Sequence, residues 1–575
     1  MSYQQQQSEQ QIPIFLLNEG TRETKKKDAQ SNNISAAKTI AEILKSSLGP
    51  RGMDKMLVDS LGDVTITNDG ATILKEIEVQ HPAAKMMVEI TKSVDDEVGD
   101  GTKSAVVLAG SMLEKAEDLI GKNVHATIIV DGYRRAAKKA IDILREISTK
   151  VDPKDKSALV TIAITSMASK LASGKSSLLA NIIVDAVLRV VEEHEDSNGT
   201  GGQSVRHGNN NRIHSKYRVD IDNIKVEKKA GASINDTSLI QGIVLDKEVV
   251  HGAMPKRVEN TRIALLISPL EVEKPGFDTK LDINNPGQIQ RFKDEENNML
   301  KSMVNNISSA GANVVLCQKG IDDRVQHYLA KSGILAVRRI KESDMSKLSK
   351  ATGANMITNV NEITSRDLGI AQLVEERKVE TDKWVFIEGC KNPKAVSILV
   401  RGGSQRVVDE AERSVHDAVM TVKDVVEYPY IIPAGGAPEA VLSQKIREWS
   451  NSVEGRAQLA VEQFADSIET IPIVLAENAG MDPIDTQAQL RAKVGKSSNK
   501  PRFGIDMINK KISDMASKNV YEPLAVKERI INAATEVASM ILRIDGVVAA
   551  SKSPDRPSGP GAGGPGGYGG DEDYS

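Results

Sequence analysis

The sequence predicts a multidomain α+β protein in which an α/β domain is inserted into an otherwise helical one. Three observations carry that prediction. The chain has 575 residues, too many for one ordinary domain and enough for about three. Hydrophobic residues make up 40% of it, enough to build real cores. The patterning also changes twice: it is helical at first, turns to short β-like runs alternating with polar helices from about 218 to 395, and is helical again after 404.

Taken in order, the first dozen residues are Gln-rich and predict disorder. Ile34, Ala37, Ala41, Leu44 and Leu48 recur near helical spacing and predict a helix over 33–48, ended by Gly49-Pro50. Val64 and Ile66 alternate with Thr65 and Thr67 as in a strand, and Asn68-Asp69-Gly70 is a turn signal. Helical segments at about 82–98 and 103–120 flank the stretch GDGTKS, Gly99 to Ser104. The polar run 195–216 reads as a flexible loop, and its His207 and His214 as solvated loop residues more than as metal ligands. The runs RIALLI, ANVVLCQ, ILAVRRI, KWVFIEG and AVSILVRG read as the strands of the α/β domain. The Gly-rich tail has no means of forming a core.

Composition excludes several functions. Charged residues are 27% of the chain with a net charge of −4, so no strong field favours nucleic acid or an anionic membrane. Aromatics are 3%, too few for base-stacking platforms. Cys317 and Cys390 have no metal-ligand spacing and make no disulfide framework, which fits a reducing compartment. The N-terminus lacks the apolar core of a signal peptide, and no apolar run is long enough to span a bilayer. The expected location is cytoplasmic.

Four stretches could carry chemistry. In GDGTKS a helix start offers unpaired N–H groups and a positive dipole end to phosphate, and glycine permits close approach. Asp100 either caps that helix or holds Mg²⁺, and the local pattern alone favours the cap. LGPRGMDK, Leu48 to Lys55, reads alone as a helix end and turn. Asp69 in TITNDGATIL reads alone as a turn aspartate. YIIPAGGAPEA places Gly435-Gly436 after an apolar strand. All four are glycine-plus-carboxylate turns at element ends, where ligands commonly bind.

The runs KSSLGPRGMDKML, ITNDGATIL, VGDGT, GGAPE and NAGMDP, in this order and at these separations, resemble the group II chaperonins, the archaeal thermosome subunits and their eukaryotic cytosolic relatives. The resemblance runs from about Asn18 to Ser551, takes in VEERKV, FIEGCKNPKA, DEAERSVHDA and MILRID, and is nearest an archaeal-type subunit. It implies a mostly helical equatorial ATPase domain from both chain ends (1–149 and 428–551) and a small intermediate domain (150–221 and 392–427). An inserted α/β apical domain (222–391) would carry a helical lid protrusion at about 268–302, and a disordered tail would follow at 552–575. It also implies ATP and Mg²⁺ as cofactors, unfolded or partly folded client proteins, and identical or paralogous subunits in two stacked rings of about eight or nine.

By similarity, Gly49 and Pro50 lie against the nucleotide phosphates, and Asp100 is the Mg²⁺ ligand. Gly101, Thr102, Lys103 and Ser104 wrap the phosphates; Gly435 and Gly436 lie near the sugar and base; Glu522 in VYEPL contacts the ribose. Ser169 and Lys170 sense the γ-phosphate, a task that suits a mobile point charge. Asp69 and Asp417 are the catalytic pair that orients the attacking water and takes its proton. Without the resemblance, Asp417 reads as a solvated helix aspartate beside His416.

Two departures stand out. Lys103 replaces a hydroxyl residue of most relatives and points either at phosphate or outward to solvent; an assembly or client-binding subunit with weak ATPase activity is the corresponding alternative function. Ala434 replaces the first of three glycines, which should make that turn less permissive. Phe292, Met299 and Met303 serve either core packing or lid and client contacts, and ILAVRRIKESDMSKL is a client-binding candidate.

Overall fold

The apolar stripe of Ile34, Ala37, Ala41 and Leu44 is buried along α1 (Lys26–Lys45). The computed structural model describes residues 22–77, 79–168, 176–193, 216–272, 286–390, 394–496 and 501–549. The Gln-rich start, Ser169 and Lys170, His207 and His214, residues 273–285 of the expected protrusion and the Gly-rich tail lie outside them. α1 ends three residues before the expected position. Ser47 and Leu48 turn back onto Leu44 and Lys45, and Asn478 Nδ2 donates to the Lys45 and Leu48 carbonyls, satisfying acceptors that a helix end leaves open.

α2 (Gly70–Glu76), α3 (Pro82–Val98), α4 (Thr102–Gly121) and α5 (Ala126–Ile147) follow. α4 is buried on every side from Ala105 to Leu113, as befits a central helix. Small residues let its neighbours close in: a Cβ on Gly110 would stand 2.3 Å from the Ala41 Cβ of α1. Tyr133 of α5 is fully buried, and its hydroxyl donates to the Met112 carbonyl at 2.8 Å.

The chain then leaves this core. α6 (Lys156–Met167) and α7 (Ser176–Val190) pack on a three-stranded sheet in which Ile224–Ala230 runs parallel to Val396–Gly402, with Ser238–Ile240 antiparallel on the other edge. A third core forms around a seven-stranded sheet. Leu335–Val337, Val314–Cys317 and Arg257–Leu266 lie parallel; Gly369–Val379, Asp382–Glu388 and Gly242–Leu245 continue antiparallel. Every residue of Val314–Cys317 is buried, the mark of a strand covered on both faces. Its helices are α8 (Pro286–Ser309), α9 (Asp323–Lys331) and α10 (Glu342–Thr352). On α8, Phe292 and Met299 are exposed, whereas Met303 packs against the core. Cys317 and Cys390 are both free and buried.

α11 (Gln405–Glu427) belongs to the core of α6 and α7. α12 (Ala437–Ser450), α13 (Ala457–Ile468), α14 (Thr470–Asn478), α15 (Pro483–Lys496) and α16 (Leu524–Leu542) then return to the core of α1 to α5. This last part is less purely helical than expected. Besides Tyr430–Pro433 it holds the strands Phe503–Asp506, Lys511–Asp514, Tyr521–Pro523 and Gly546–Ala549, each too short to show a period. Among the described residues no helix is long and apolar enough to cross a membrane.

One buried carboxylate ties the returning helices together. Glu469 accepts from Arg447, Arg491 and Gln487. Burial opposes its ionisation, but the two guanidiniums overcome this and hold the carboxyl at about 2. A depressed folded value contributes stability above the unfolded pKa, and that stability is lost as pH falls through the folded one. Glu469→Gln should therefore cost about 3 kcal/mol at pH 7 and progressively less between about pH 5 and 2, read from urea midpoints across that window.

Candidate nucleotide site

The GDGTKS stretch is a tight turn between two helices. Gly99 closes α3 at φ 64°, and Gly101 opens α4 at φ 83°, both left-handed. Side chains are excluded at both: a Cβ on Gly99 would stand 2.4 Å from the Met420 Cβ of α11, and one on Gly101 would stand 2.7 Å from Ile530 Cδ1 of α16. Asp100 is not the helix cap that its local pattern favours. Gly101 takes that place, with no side-chain cap bond, so no side chain blocks the N-terminal end of α4. Asp100 Oδ1 accepts from the Gly101 N–H at 2.6 Å, and Oδ2 lies 3.5 Å from Ser166 Oγ of α6.

Other left-handed glycines bring backbone to the same place. A Cβ on Gly49 (φ 82°) would meet Leu475 Cδ2 at 2.6 Å and Met507 Sδ at 2.7 Å. Gly435 and Gly436 (φ 71° and 79°) lead into α12, again with no side-chain cap bond. Ala434 has no left-handed φ, so its side chain is unstrained and the expected loss of permissiveness does not arise. Together these turns line a cavity of about 510 Å³. Gly49, Pro50, Asp100, Gly101, Lys103, Ser104, Gly435, Gly436 and Glu522 all face it. Thr102 is buried behind it, where a Cβ on Gly70 would stand 2.9 Å from Thr102 Oγ1.

Asp69 caps α2. Its Oδ2 accepts from the Thr72 N–H and Oγ1, both at 2.8 Å, and its own N–H donates to Thr67 Oγ1. Lys103 takes neither course open to it in the sequence. Its Nζ donates to the Ser47 carbonyl at 3.0 Å, the Asn68 carbonyl at 3.1 Å and Asn68 Oδ1 at 2.6 Å.

Asp417 is not a solvated helix aspartate; only 7% of it is exposed. Its carbonyl accepts from Thr421 Oγ1, which lies 3.2 Å from Ser166 Oγ, the group beside Asp100. Further along α11, Glu410 Oε2 accepts from Thr67 Oγ1 at 3.4 Å, two residues from Asp69. α11 therefore touches the segments of both aspartates.

Several lining residues carry no signal in the sequence. Lys527 Nζ lies 2.7 Å from Glu522 Oε2 and 2.7 Å from Glu439 Oε1. Burial pushes the Glu522 carboxyl above the ordinary range, against the pull of Lys527 and with the repulsion of Glu439. Burial alone would lower Lys527, but the two carboxylates reverse this and raise it. Burial likewise opposes ionisation of Asp506, which Lys518 and Asn509 nevertheless hold at about 2. The spacing Asp506-x-x-Asn509, a local turn in which the Asn509 N–H donates to Asp506 Oδ1, is the one cue the sequence offered there.

The model of the TCP-1/cpn60 chaperonin family matches residues 40–552. The chain belongs to that family. It is 52% identical to the thermosome subunit alpha of Archaeoglobus fulgidus over 98% of this chain and 99% of the relative. It is 53% identical to the thermosome subunit beta of the same organism, over 94% and 95%, and 51% identical to the thermosome subunit of Pyrococcus abyssi, over 98% of each. This chaperonin is thus of the group II kind, an ATP-dependent chaperone. These relatives do not favour the alternative of an assembly subunit with weak ATPase activity.

Proposed function

We propose that the glycine-lined cavity binds ATP with Mg²⁺, and that hydrolysis there drives a double ring to close over unfolded client proteins in the cytoplasm. The observation that carries this reading is the meeting of two uncapped helix starts, four left-handed glycines and Asp100 around one cavity, with α11, which carries Asp417, touching the segments of Asp69 and Asp100. Backbone N–H groups at the start of α4 suit phosphate oxygens. Among the described residues no cluster of three or more His, Cys, Asp or Glu gathers to hold a metal alone; a Mg²⁺ bound through Asp100 and substrate phosphates needs none. Bound there, Mg²⁺ neutralises phosphate charge. Asp69, fixed by Thr72, and Asp417, carried by α11, orient the water and accept its proton. Glu522 contacts the ribose, and Ser169 and Lys170 answer to the γ-phosphate.

The core of α1 to α5 and α12 to α16 serves as the equatorial domain, that of α6, α7 and α11 as the intermediate domain, and the seven-stranded unit as the apical domain with its lid. Exposed Phe292 and Met299 on α8 support a client or lid contact. The hairpin Lys55–Val58/Val64–Thr67 supports ring assembly: Met56 (67% exposed) and Leu61 (87% exposed) present apolar surface for a neighbouring subunit. Phosphate release by assembled protein tests the proposal. Release should be ATP-dependent and abolished by EDTA; a rate equal to the protein-free blank would overturn it.

A further inference from the structure

Lys103 sits in the first turn of α4, yet its ammonium is turned towards two other segments of the chain. The acceptors, Ser47 O, Asn68 O and Asn68 Oδ1 at 3.0, 3.1 and 2.6 Å, match the three protons of an ammonium in number. Ser47 precedes the Gly49 turn by two residues, and Asn68 directly precedes Asp69. Both are shut off from water, at 0% and 1% exposure, so solvent is poorly placed to replace a lost donor. The lysine stem is packed as well: a Cβ on Gly70 would stand 2.6 Å from Lys103 Cγ. A single cation thus joins three segments that lie 35 and 56 residues apart in sequence.

We propose that Lys103 is a positioning residue for hydrolysis, a cationic clip that holds the Gly49 turn and the Asp69 turn against the start of α4. This rests on the ATPase reading given above. Charge-assisted bonds are roughly twice as strong as neutral ones, and three of them converge where small displacements matter. A misplacement of about 1 Å in a catalytic arrangement costs on the order of a hundredfold in rate. The clip acts on kcat through the placement of Asp69, and leaves phosphate binding to backbone N–H groups.

The test uses the full-length assembled protein and has two arms. In the first, Lys103→Met should lower kcat for phosphate release by about 10- to 100-fold, with the KM for ATP changed by less than about threefold. Lys103→Arg, which keeps charge and donors, should recover most of the loss. A raised KM or weakened ADP binding with kcat kept would make Lys103 a phosphate ligand and overturn the proposal. In the second arm, amide hydrogen exchange of nucleotide-free protein should rise in 46–52 and 67–72 together in Lys103→Met. Unchanged exchange in both segments would overturn the clip. This arm decides the matter even if the parent protein releases no phosphate, an outcome that sinks the ATPase reading instead. Should Lys103→Met fail to assemble, Asn68→Ala, which removes one acceptor and keeps the carbonyl, should give the same two changes on a smaller scale; neither change would count against the clip.

Discussion

Asp417→Asn is expected to reduce steady-state phosphate release by about 10²- to 10⁴-fold, the range of a lost general base, while nucleotide affinity stays close to that of the parent. Asparagine preserves the size and shape of the side chain, so the packing of α11 against Gly99 and Ser166 survives. What it removes is the carboxylate, the destination proposed for the proton of the attacking water. The expectation rests on location. Asp417 is buried at 7% exposure although its neighbour His416 is open to solvent, with Nδ1 3.9 Å from Asp417 Oδ1. Its helix abuts the Asp100 turn through Met420 and Thr421, and the Asp69 segment through Glu410. A carboxylate kept from water on a helix that crosses from one core to the edge of another is costly unless it has a task there. Phosphate release measured beside a nucleotide titration decides: an unchanged rate removes Asp417 from catalysis, and an equal loss of binding makes it a structural residue.

How much of this was legible beforehand depends on the range of the interaction. The helices α3 and α4 were readable because their apolar residues repeat locally, and the GDGTKS turn because glycine at two left-handed positions is itself a signal. Asp100 was readable as a carboxylate at a helix start but not as lying outside the cap, since cap identity turns on one φ angle. The strands Phe503–Asp506 and Lys511–Asp514 were missed because four residues hold too few alternations, so Asp506 and Met507 went unmarked. Asp417 was legible only through the resemblance, because its burial is created by segments hundreds of residues away. Lys103 was the clearest case. Its spacing offered phosphate or solvent, and its partners Ser47 and Asn68 lie on other elements, a third course no local pattern contains.

Lys527→Met should destabilise the protein by about 3–5 kcal/mol at pH 8, the cost of leaving a buried ion pair without one partner. Lys527 is 6% exposed, and its ammonium lies between Glu439 Oε1 and Glu522 Oε2, each at 2.7 Å. Glu439 Oε2 has no hydrogen-bond partner among the described residues, so the triad already stands close to its limit of satisfaction. Methionine fills the stem's volume but supplies no charge, leaving the buried Glu439 carboxylate and the half-buried Glu522 carboxylate to repel one another. The pH dependence follows from the sign of the shifts. Glu522 lies above its ordinary value in the parent and should rise further without Lys527. A group raised in the folded state contributes stability below its unfolded pKa and loses it as pH rises through the folded one. The deficit of Lys527→Met should therefore be largest at pH 8 and shrink towards pH 5, as the carboxyl pair takes up a proton. Lys527 itself is raised from 10.5, so its own titration leaves this window untouched. Thermal unfolding of parent and variant at both pH values measures the difference. A deficit that is the same at pH 5 and pH 8 would show that lost packing, and not an orphaned pair of carboxylates, is what the substitution costs. Adding Glu439→Gln and Glu522→Gln to Lys527→Met should then restore most of the stability at pH 8, since a neutral set in place of a buried charged one is close to neutral in energy. If Glu522 makes the ribose contact proposed for it, the triple variant should still bind ATP more weakly than the parent.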